Sequence, residues 1–375
     1  MSVERVDVLV VGGGPAGSSV AWGLRGSGMR VVVMDRAGFP RDKTCAGWVT
    51  PPVWSALRID PREYAAGGRT LQPIRGFQIG RLGARASCAS GAEVISHGIR
   101  RCEFDAYLLA RSGAELRTGE PVRSIERRAD GWLVNGDTRA RLLVGAGGHF
   151  CPVARALSAG ATKETPIAAQ EIEVALADHE VDLTRVDPEV PEIWFCADLG
   201  GYGWAFRKGR FLNVGLGRRG GAGLVEQVRA FLEGLRAAGR IPGRWSGPVH
   251  GHAYFTYGTT RRPLSRPGVA LVGDAAGLAY AKSGEGIRPA VESGLLLASA
   301  VAGAGDPADK ASLAAYEDAV VARYGARAPA ADGPRPPPSW QAALAGRLFA
   351  MPWFARRVVV DRWFLNRRVP AVACP

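Results

Sequence analysis

The first 35 residues carry the clearest pattern of apolar and polar positions. Arg5–Val11 is a valine-rich apolar run bounded by glycines, which predicts a buried parallel strand. Pro15–Gly28 has helical composition and ends at a glycine, and Arg30–Met34 is a second apolar run closed by Asp35. A strand, a helix and a strand within about 30 residues predict a βαβ unit.

Apolar runs further along the chain predict a second sheet. Segments with strand composition, expected to form an antiparallel sheet, are Arg75–Gly80, Gly131–Val134, Ile172–Leu176, Glu192–Phe195 and Phe211–Leu216. Leu224–Ala238 is apolar on one helical face and predicts an amphipathic helix. Val269–Val272 predicts another buried strand, followed by a helix over Gly286–Ala302. Proline-rich Ala328–Ser339 predicts a linker, and Trp340–Arg368 an aromatic, basic helical segment.

The charge of the chain is strongly positive but not organised for nucleic acid. The formal net charge is +13, and from Pro334 to Pro375 seven Arg face one acid, Asp361, which gives 7 − 1 = +6 for that tail. Elsewhere the Arg residues are scattered, and no helix-turn-helix, finger or RNA-binding signature is found. An anionic substrate, cofactor phosphates or a membrane surface are the partners that this charge favours over nucleic acid.

Cysteine usage indicates a reducing compartment. The six Cys show no CxxC pair and no disulfide spacing, which favours a cytoplasmic location. The uncharged stretch Val8–Leu24 contains glycines and a proline and is not followed by a cleavage site, so a strand, a glycine turn and a helix explain it better than a signal peptide or membrane span.

A glycine motif lies between the first strand and the first helix. Gly12, Gly14 and Gly17 form GxGxxG, in which the three glycines permit a tight turn, close approach to a pyrophosphate and close helix packing. The helix N-terminus then offers free N–H groups to phosphates. Asp35 ends the next strand 18 residues after Gly17, where a carboxylate binds an adenosine ribose. This context predicts a dinucleotide-binding fold.

Two more segments resemble FAD enzymes. Gly268–Gly277 is a buried strand that runs into Gly273-Asp274, and in FAD hydroxylases and related reductases this segment brings an Asp to the ribityl chain. It continues as Ser283-Gly-Glu-Gly-Ile-Arg288, which looks like the turn that opens a helix beneath the flavin. Backbone N–H groups there would stabilise negative charge on the reduced flavin. Arg101-Cys-Glu-Phe-Asp105 resembles the Arg-x-x-Phe-Asp segment whose Arg reaches the cofactor.

Together these motifs resemble a superfamily of aromatic hydroxylases, flavin halogenases and geranylgeranyl reductases. Within it, Arg41-Asp-Lys-Thr-Cys45-Ala-Gly47 is similar to the Arg-Asp-Lys-x-Cys-Gly-Gly stretch of the geranylgeranyl reductases, which lies near the flavin. Tyr202-Gly-Trp204-Ala-Phe206-Arg-Lys208 is similar to their Tyr-x-Trp-x-Phe-Pro-Lys substrate-cavity motif. The halogenase motif Trp-x-Trp-x-Ile-Pro is missing.

The resemblance implies a fold, a domain division and a site. The fold class is α/β, a Rossmann-type FAD-binding domain (1–72, 98–165 and 262–327) with an antiparallel-sheet substrate domain (73–97 and 166–261) and a linker with a C-terminal helical tail (328–375). The implied FAD-binding residues are Gly12, Gly14, Pro15, Ala16, Gly17, Asp35, Arg36, Arg41, Cys45, Ala46, Arg101, Val122, Gly273, Asp274, Gly284, Gly286 and Ile287.

Two positions depart from the family pattern. Arg207 replaces the Pro of the cavity motif, which is expected to put a charge near the substrate mouth. Gly147 replaces the Asp of the hydroxylases' Asp-Gly motif, which is associated with FAD and NAD(P)H together. The resemblance implies NAD(P)H as electron donor, but this contact is lost, and no second GxGxxG in a βαβ context follows.

The implied activity is reduction of a C=C bond in an isoprenoid or polyketide-like substrate by hydride from reduced FAD. Alternatives are an FAD monooxygenase that uses NAD(P)H and O₂ on an aromatic or polyketide substrate and, behind it, a halogenase. Cys45 is the catalytic candidate, as a proton donor or to steer the substrate, although Cys is also often simply buried. Tyr202, Trp204 and Phe206 alternate along a predicted strand and are expected to wall an apolar substrate cavity, or to be ordinary core.

The remaining candidates concern the tail and metal binding. Trp353, Phe354, Trp363 and Phe364 among five Arg suggest either a helix at a membrane surface or a capping helix packed on the FAD domain. Peripheral membrane contact is therefore left open. His250 and His252 share a strand face, but no third ligand follows at a recognisable spacing, so no metal site is expected.

Overall fold

The computed structural model describes residues 3–157, 165–327 and 339–373, with the backbone alone for 339–343. The strands, β1 to β18, are Glu4–Val11, Val31–Asp35, Trp48–Val49, Leu71–Ile74, Gly76–Arg81, Ala86–Ser90, Ser96–Ile99, Glu115–Thr118, Ile125–Arg128, Gly131–Val134, Thr138–Gly145, Ile167–Ala175, Glu192–Phe195, Gly201–Lys208, Phe211–Arg219, His250–Tyr254, Ser265–Arg266 and Val269–Leu271. The α-helices, α1 to α11, are Pro15–Gly23, Pro51–Ala56, Pro61–Ala66, Arg101–Ala110, Pro152–Leu157, Asp178–Val181, Leu224–Ala237, Ile287–Val301, Lys310–Tyr324, Ser339–Phe349 and Pro352–Phe354. A 3₁₀ turn spans Gly273–Ala275 and a π-helix spans Ala355–Phe364. The predicted linker, Ala328–Ser339, lies outside the described residues except for Ser339.

The first large sheet contains the predicted βαβ unit. Its order is β17-β18-β11-β1-β2-β8, and the pairs from β18 to β8 are parallel. In register, Val8 pairs with Val31 and Val11 with Met34. Val8, Leu9 and Val10 are fully buried because both faces of the sheet are covered, as an unbroken apolar run predicts.

Helix α1 is shorter than predicted. It ends at Gly23 rather than at Gly28, and Leu24 caps it. Gly26 and Gly28 adopt left-handed φ angles of 80° and 78°, so the glycines that suggested the end of the helix form the turn after it.

The prediction that Gly131–Val134 belongs to the second sheet was wrong. This strand, β10, pairs with β9 and β11 at the edge of the first sheet, both antiparallel. The reason is local: Asn135 and Gly136 have positive φ angles of 54° and 79°, and the tight turn brings Val134 opposite Thr138.

The second large sheet has the order β16-β12-β15-β14-β13-β5-β6. It is antiparallel as predicted except for one pair, since β13 runs parallel to β5. Helix α7 packs its apolar face, including Val228, Phe231 and Leu235, against this sheet, which confirms the amphipathic pattern. A small third sheet, β3-β7-β4, places Trp48 beside the aromatic residues of the second sheet.

The C-terminal segment covers the other face of the second sheet. Val359, Val360 and Phe364 of the π-helix are buried in one cluster with Phe77 and Phe206. The predicted packing on the FAD domain is therefore only part of the contact: Phe364 touches Trp48, but most buried apolar residues of the tail pack against the aromatic face of β5 and β14.

Residues after the π-helix contact helix α8. The buried guanidinium of Arg288, in α8, donates hydrogen bonds to the carbonyls of Leu365 (3.4 Å) and Val369 (2.6 Å). Glu292 accepts from Arg288 at 2.7 Å and also pairs with Arg323 of α9. The tail is thus anchored at one end by packing and at the other by a buried charge network. Within the described part of the chain, no helix is long and apolar enough to cross a membrane.

Candidate cofactor and substrate site

A cavity of about 1070 Å³ is lined by residues of both large sheets. Its volume is at the upper end of the roughly 300–1,000 Å³ of ligand pockets, which suits a large ligand. Most of the predicted FAD-binding residues line it: Gly12, Gly14, Pro15, Ala16, Asp35, Arg36, Arg41, Cys45, Ala46, Arg101, Val122, Asp274, Gly284, Gly286 and Ile287. Gly17 and Gly273 lie outside the lining.

The glycines of the first turn are required by backbone contacts. Gly12 has a φ of 117°, and a Cβ there would lie 2.5 Å from the carbonyl of Ala146. A Cβ at Gly17 would lie 1.9 Å from the carbonyl oxygen of Gly12. Gly17 therefore allows α1 to pack against the turn, while Gly12 and Gly14 form its cavity side. The first N–H groups of α1 have no partner within the helix and are available to an anion.

Asp35 is held at the end of β2 beside this turn. Its carboxylate accepts hydrogen bonds from the backbone N–H groups of Gly13 (2.8 Å) and Ala37 (2.9 Å). The carboxylate is therefore pre-positioned at the cavity wall, next to the helix N-terminus, where a ribose would follow a pyrophosphate.

A cationic group faces the same part of the cavity. Buried Asp105 binds Arg101 through two hydrogen bonds of 2.8 Å, and Arg41 Nη1 lies 3.3 Å from the same carboxylate. That nitrogen is buried without a hydrogen-bond partner, although a buried donor normally has one. Burial and the charge of Arg101 lower the pKa of Lys43 to about 8. A bound anion would offset this concentration of positive charge, so these residues fit the diphosphate of FAD.

Asp274 lies in the 3₁₀ turn that follows β18. His252 Nε2 is 3.3 Å from its carboxylate. Burial alone would raise the pKa of Asp274, but His252, Lys43 and Arg101 lower it below its ordinary value, so the carboxylate is ionised. The exposed His250 does not join His252, and no group of three potential ligands among the described residues could hold a metal ion.

The start of α8 closes the cofactor end of the cavity. Gly284 has a φ of 68°, and a Cβ there would lie 2.3 Å from the hydroxyl of Tyr254. Gly286 caps the helix, and Ile287 is its first residue. Gly286 and Ile287 both line the cavity, so this helix N-terminus lies at its wall, where it fits the negative edge of a reduced flavin.

The loop that carries Cys45 is held from behind by buried polar side chains. Glu171 Oε1 accepts a hydrogen bond from the N–H of Cys45 (2.6 Å), and Asn213 Nδ2 donates to its carbonyl (3.2 Å). Asn213 also accepts from the indole of Trp204 (2.7 Å) and donates to Glu173 (2.9 Å). Burial raises the pKa of Glu171 to about 7. Cys45 thus has a fixed backbone at the cavity wall.

Aromatic side chains form one wall of the cavity. Tyr202, Trp204 and Phe206 share one face of β14 and line it, as the alternation along the strand predicted. Other apolar residues of this wall, which the sequence did not predict as cavity residues, are Trp48, Ile193, Phe195, Phe349, Trp363 and Phe364. Phe195 and Phe349 stack with ring centroids 4.3 Å apart. The C-terminal segment thereby supplies part of the apolar wall.

The prediction that Arg207 places a charge near the substrate mouth was wrong. Arg207 points to the opposite face of β14 from Trp204 and Phe206, and its Nε donates to the carbonyl of Gly209 at 3.1 Å. Lys208 is on the cavity side but extends beneath the Cys45 loop, where its fully buried amine donates to the carbonyl of Ala46 (3.1 Å). Successive side chains of a strand point to opposite faces, so Lys208 shares the face of Trp204 and Phe206 whereas Arg207 does not.

The residues behind Cys45 had a weak sequence signal. Asn213 is the polar residue in the apolar run Phe211–Leu216, and Glu171 and Glu173 alternate with the apolar residues Ile172 and Val174. A polar side chain in a buried strand needs a partner, but the sequence alone does not show that the partner is a loop more than 100 residues away.

No protein-family model matches the chain. The digeranylgeranylglycerophospholipid reductase of Methanothrix thermoacetophila is 31% identical over 345 residues, which cover 84% of this chain and 82% of that protein. Digeranylgeranylglycerophospholipid reductase 1 of Methanopyrus kandleri is 30% identical over 314 residues, 77% of this chain and 78% of that protein. The chain belongs to the geranylgeranyl reductase family. The prediction of an FAD-dependent oxidoreductase is thereby confirmed.

One further relative and two solved structures are less similar to the chain. A menaquinone reductase of Mycolicibacterium smegmatis is 28% identical over 342 residues, 78% of this chain and 76% of that protein. A crystal structure of a geranylgeranyl bacteriochlorophyll reductase-like protein from Thermoplasma acidophilum has a TM-score of 0.72 at 20% identity, covering 93% of this chain and 89% of that chain. A probable FAD-dependent monooxygenase from Pseudomonas aeruginosa has a TM-score of 0.62 at 19% identity, covering 92% and 96%. These two structures confirm the predicted α/β fold class.

Proposed function

We propose that this protein reduces C=C bonds in the isoprenoid chain of a lipid-like substrate, with electrons from bound FAD. The observation that carries the proposal is the apolar end of the cavity, where aromatic side chains from β14 and the C-terminal segment continue directly from the predicted flavin site. When bound, reduced FAD supplies the hydride.

The protein's own residues would position the chain and exclude water. Trp204, Phe206 and Phe364 are at most 7% exposed and offer apolar surface to an isoprenoid. Dispersion and burial of the substrate would hold a double bond against the flavin-side wall that contains Cys45. The fixed backbone of Cys45 supports a role for its thiol in steering the substrate.

The names of the relatives support the substrate class. The Methanothrix and Methanopyrus proteins are named reductases of digeranylgeranylglycerophospholipids, and the Mycolicibacterium protein is named a menaquinone reductase. These names share an isoprenoid chain on a larger head group. A polyketide-like chain is the second substrate class that the apolar wall would admit.

NAD(P)H is the proposed electron donor, on the resemblance to the hydroxylases. Gly147 lines the cavity without the carboxylate of their Asp-Gly motif, so the nucleotide is expected to reach the flavin without that contact. Anaerobic mixing of the FAD-loaded protein with NADH or NADPH tests this. A flavin that dithionite reduces but neither nucleotide reduces would rule out NAD(P)H.

Peripheral contact with an anionic membrane is proposed for the tail. Leu344, Met351 and Trp353 are 48, 51 and 66% exposed, and Arg347 and Arg357 are exposed beside them in the chain. Exposed apolar and cationic side chains together suit an anionic lipid surface, from which a lipid-like substrate would enter.

The deciding experiment is anaerobic. The FAD-loaded protein is photoreduced, mixed with polyprenyl or polyketide substrates, and followed by flavin absorbance and product mass. Reoxidation without O₂, with a mass gain of two hydrogens, supports the reductase. Reoxidation only after O₂ is admitted, with a gain of one oxygen, would instead show a monooxygenase, and a halide-dependent product a halogenase.

A further inference from the structure

Glu285 is a buried carboxyl in the cavity wall that the proposed reaction has not yet used. It lies between Gly284 and Gly286, directly before α8, and is 7% exposed. Its Oε1 accepts a hydrogen bond from the Thr50 hydroxyl at 3.3 Å, whereas its Oε2 is buried without a partner. A buried carboxyl oxygen without a partner is rare and indicates a proton or a missing bound group.

The environment of Glu285 keeps it neutral. Burial raises its pKa to about 8, although Arg288 lowers the pKa in part and Glu292 raises it. The other ionisable groups near it are the phenols of Tyr202 and Tyr280. Arg288 pairs with Glu292 instead of Glu285, so no direct ion pair favours the ionised form of Glu285 and its raised pKa favours the protonated carboxyl at neutral pH.

Other acidic groups of the cavity wall are engaged or exposed. Asp274 is ionised beside His252, and Asp35 accepts two backbone hydrogen bonds. Asp42 and Glu120 are exposed to water. Glu171 does not line the cavity, and both of its oxygens accept hydrogen bonds.

The tyrosines are weaker candidates as acids. The Tyr202 hydroxyl already donates to the carbonyl of Ser283, and burial raises its pKa well above the ordinary value. Burial raises the pKa of Tyr254 in the same way. Each would give up a proton less readily than a carboxylic acid in the same cavity.

We propose that the Glu285 carboxyl donates the proton that completes reduction of the substrate double bond. This inference rests on the proposed function. The carboxyl O–H bond breaks and its electron pair stays on the carboxylate, while the π bond of the substrate breaks and its electron pair forms a C–H bond at one carbon. The neighbouring carbon receives the hydride that reduced FAD supplies. Water returns a proton to Glu285 after the product leaves, so the substrate gains two hydrogens overall.

The test compares Glu285→Gln with Glu233→Gln, an exposed carboxyl on α7, in anaerobic single turnovers of photoreduced protein. Glu285→Gln should bind FAD and be photoreduced normally but reduce substrate about 100-fold or more slowly. The wild-type rate should fall as the pH rises through about 8, and the Gln variant should lack this decline. Glu233→Gln should match the wild type.

Thr50→Val gives a second measurement if Glu285→Gln is poorly folded. The Thr50 hydrogen bond lowers the pKa of Glu285, so its loss should shift the decline in rate to higher pH while turnover persists. Infrared spectra of the protein without FAD provide a readout apart from turnover: the wild-type spectrum minus the Glu285→Gln spectrum should contain a protonated-carboxyl band at pH 7, because the contribution of Glu171, whose pKa is raised to about 7, is common to both and cancels.

The outcomes separate this inference from the proposed function. If the wild type reduces no substrate anaerobically, the proposed function fails and the proton donor with it. If the wild type turns over but Glu285→Gln is equally fast with the same pH profile, or if the infrared band shows an ionised Glu285 at pH 7, only the role of Glu285 is overturned.

Discussion

Replacement of Lys208 by Met should loosen the Cys45 loop and destabilise the protein. The Lys208 amine is fully buried, pairs with Glu173 and donates to the carbonyls of Ala46 and Ile99, each at 3.1 Å. Met preserves most of the side-chain volume but removes all three donated hydrogen bonds.

The expected loss in the free energy of unfolding depends on the Glu173 carboxylate, which stays buried without Lys208. Removal of one partner from a buried ion pair costs about 3–5 kcal/mol, because the other charge remains buried. Glu173 retains a hydrogen bond from Asn213 and a contact with Arg100 at 3.6 Å, so the lower half of this range is expected. This is a large part of the roughly 5–15 kcal/mol that stabilises a typical domain.

Urea denaturation followed by tryptophan fluorescence measures the loss. Burial alone would raise the pKa of Glu173, but Lys208 and Asn213 lower it below the ordinary 4.5. The stabilisation is therefore present above pH 4.5 and lost as the pH falls through the lower folded pKa, so the wild type and Lys208→Met should converge in acid. Adding Glu173→Gln to Lys208→Met should restore about 1 kcal/mol or more, since no uncompensated charge remains. A loss below about 1 kcal/mol at pH 7 for Lys208→Met would refute this account of the buried amine.

Three further predictions test other parts of the site. Gly17→Ala should abolish FAD retention, measured by flavin absorbance after gel filtration, because its Cβ would lie 1.9 Å from a backbone oxygen; Gly13→Ala, whose Cβ would meet flexible side chains at 3.1 Å or more, should retain flavin. The pKa of Glu171 is raised to about 7 in the folded protein, so this carboxyl contributes stability that is complete below pH 4.5 and is lost as the pH rises through 7. The melting temperature should therefore fall less between pH 5 and 8 in Glu171→Gln than in the wild type. Trp353→Ser should weaken sedimentation with anionic vesicles several-fold, whereas Leu183→Ser, at a similarly exposed apolar site (59% against 66%), should not; equal binding of both variants would contradict the membrane contact.

The cofactor half of the site could be predicted from the sequence because its signals are local. The turn Gly12–Gly17, the strand before it and Asp35 lie within one βαβ unit, so spacing alone places them together. Gly273-Asp274 follows a buried strand, whose end a parallel sheet brings to the same edge as β1.

The substrate half could be predicted only in part. Alternation along β14 correctly placed Tyr202, Trp204 and Phe206 on one face, but it equally turned Arg207 away, against expectation. Phe349 and Phe364 were missed as wall residues, since nothing in a basic, aromatic helix shows which sheet it covers. Such contacts depend on long-range packing rather than on periodicity.

The amide of Asn213 also limits how this enzyme can be redesigned. One side chain serves both Trp204, a wall of the apolar cavity, and the backbone of Cys45. A substitution at Trp204 would remove the hydrogen bond that the amide oxygen of Asn213 accepts. The amide nitrogen of the same side chain binds the Cys45 loop, so that loop would be affected as well. Enlarging the cavity for a bulkier substrate should therefore alter reactivity unless the change is made on the C-terminal segment, at Phe349 or Phe364, which have no hydrogen bond to that amide. Those positions are the better starting points for reshaping the apolar wall.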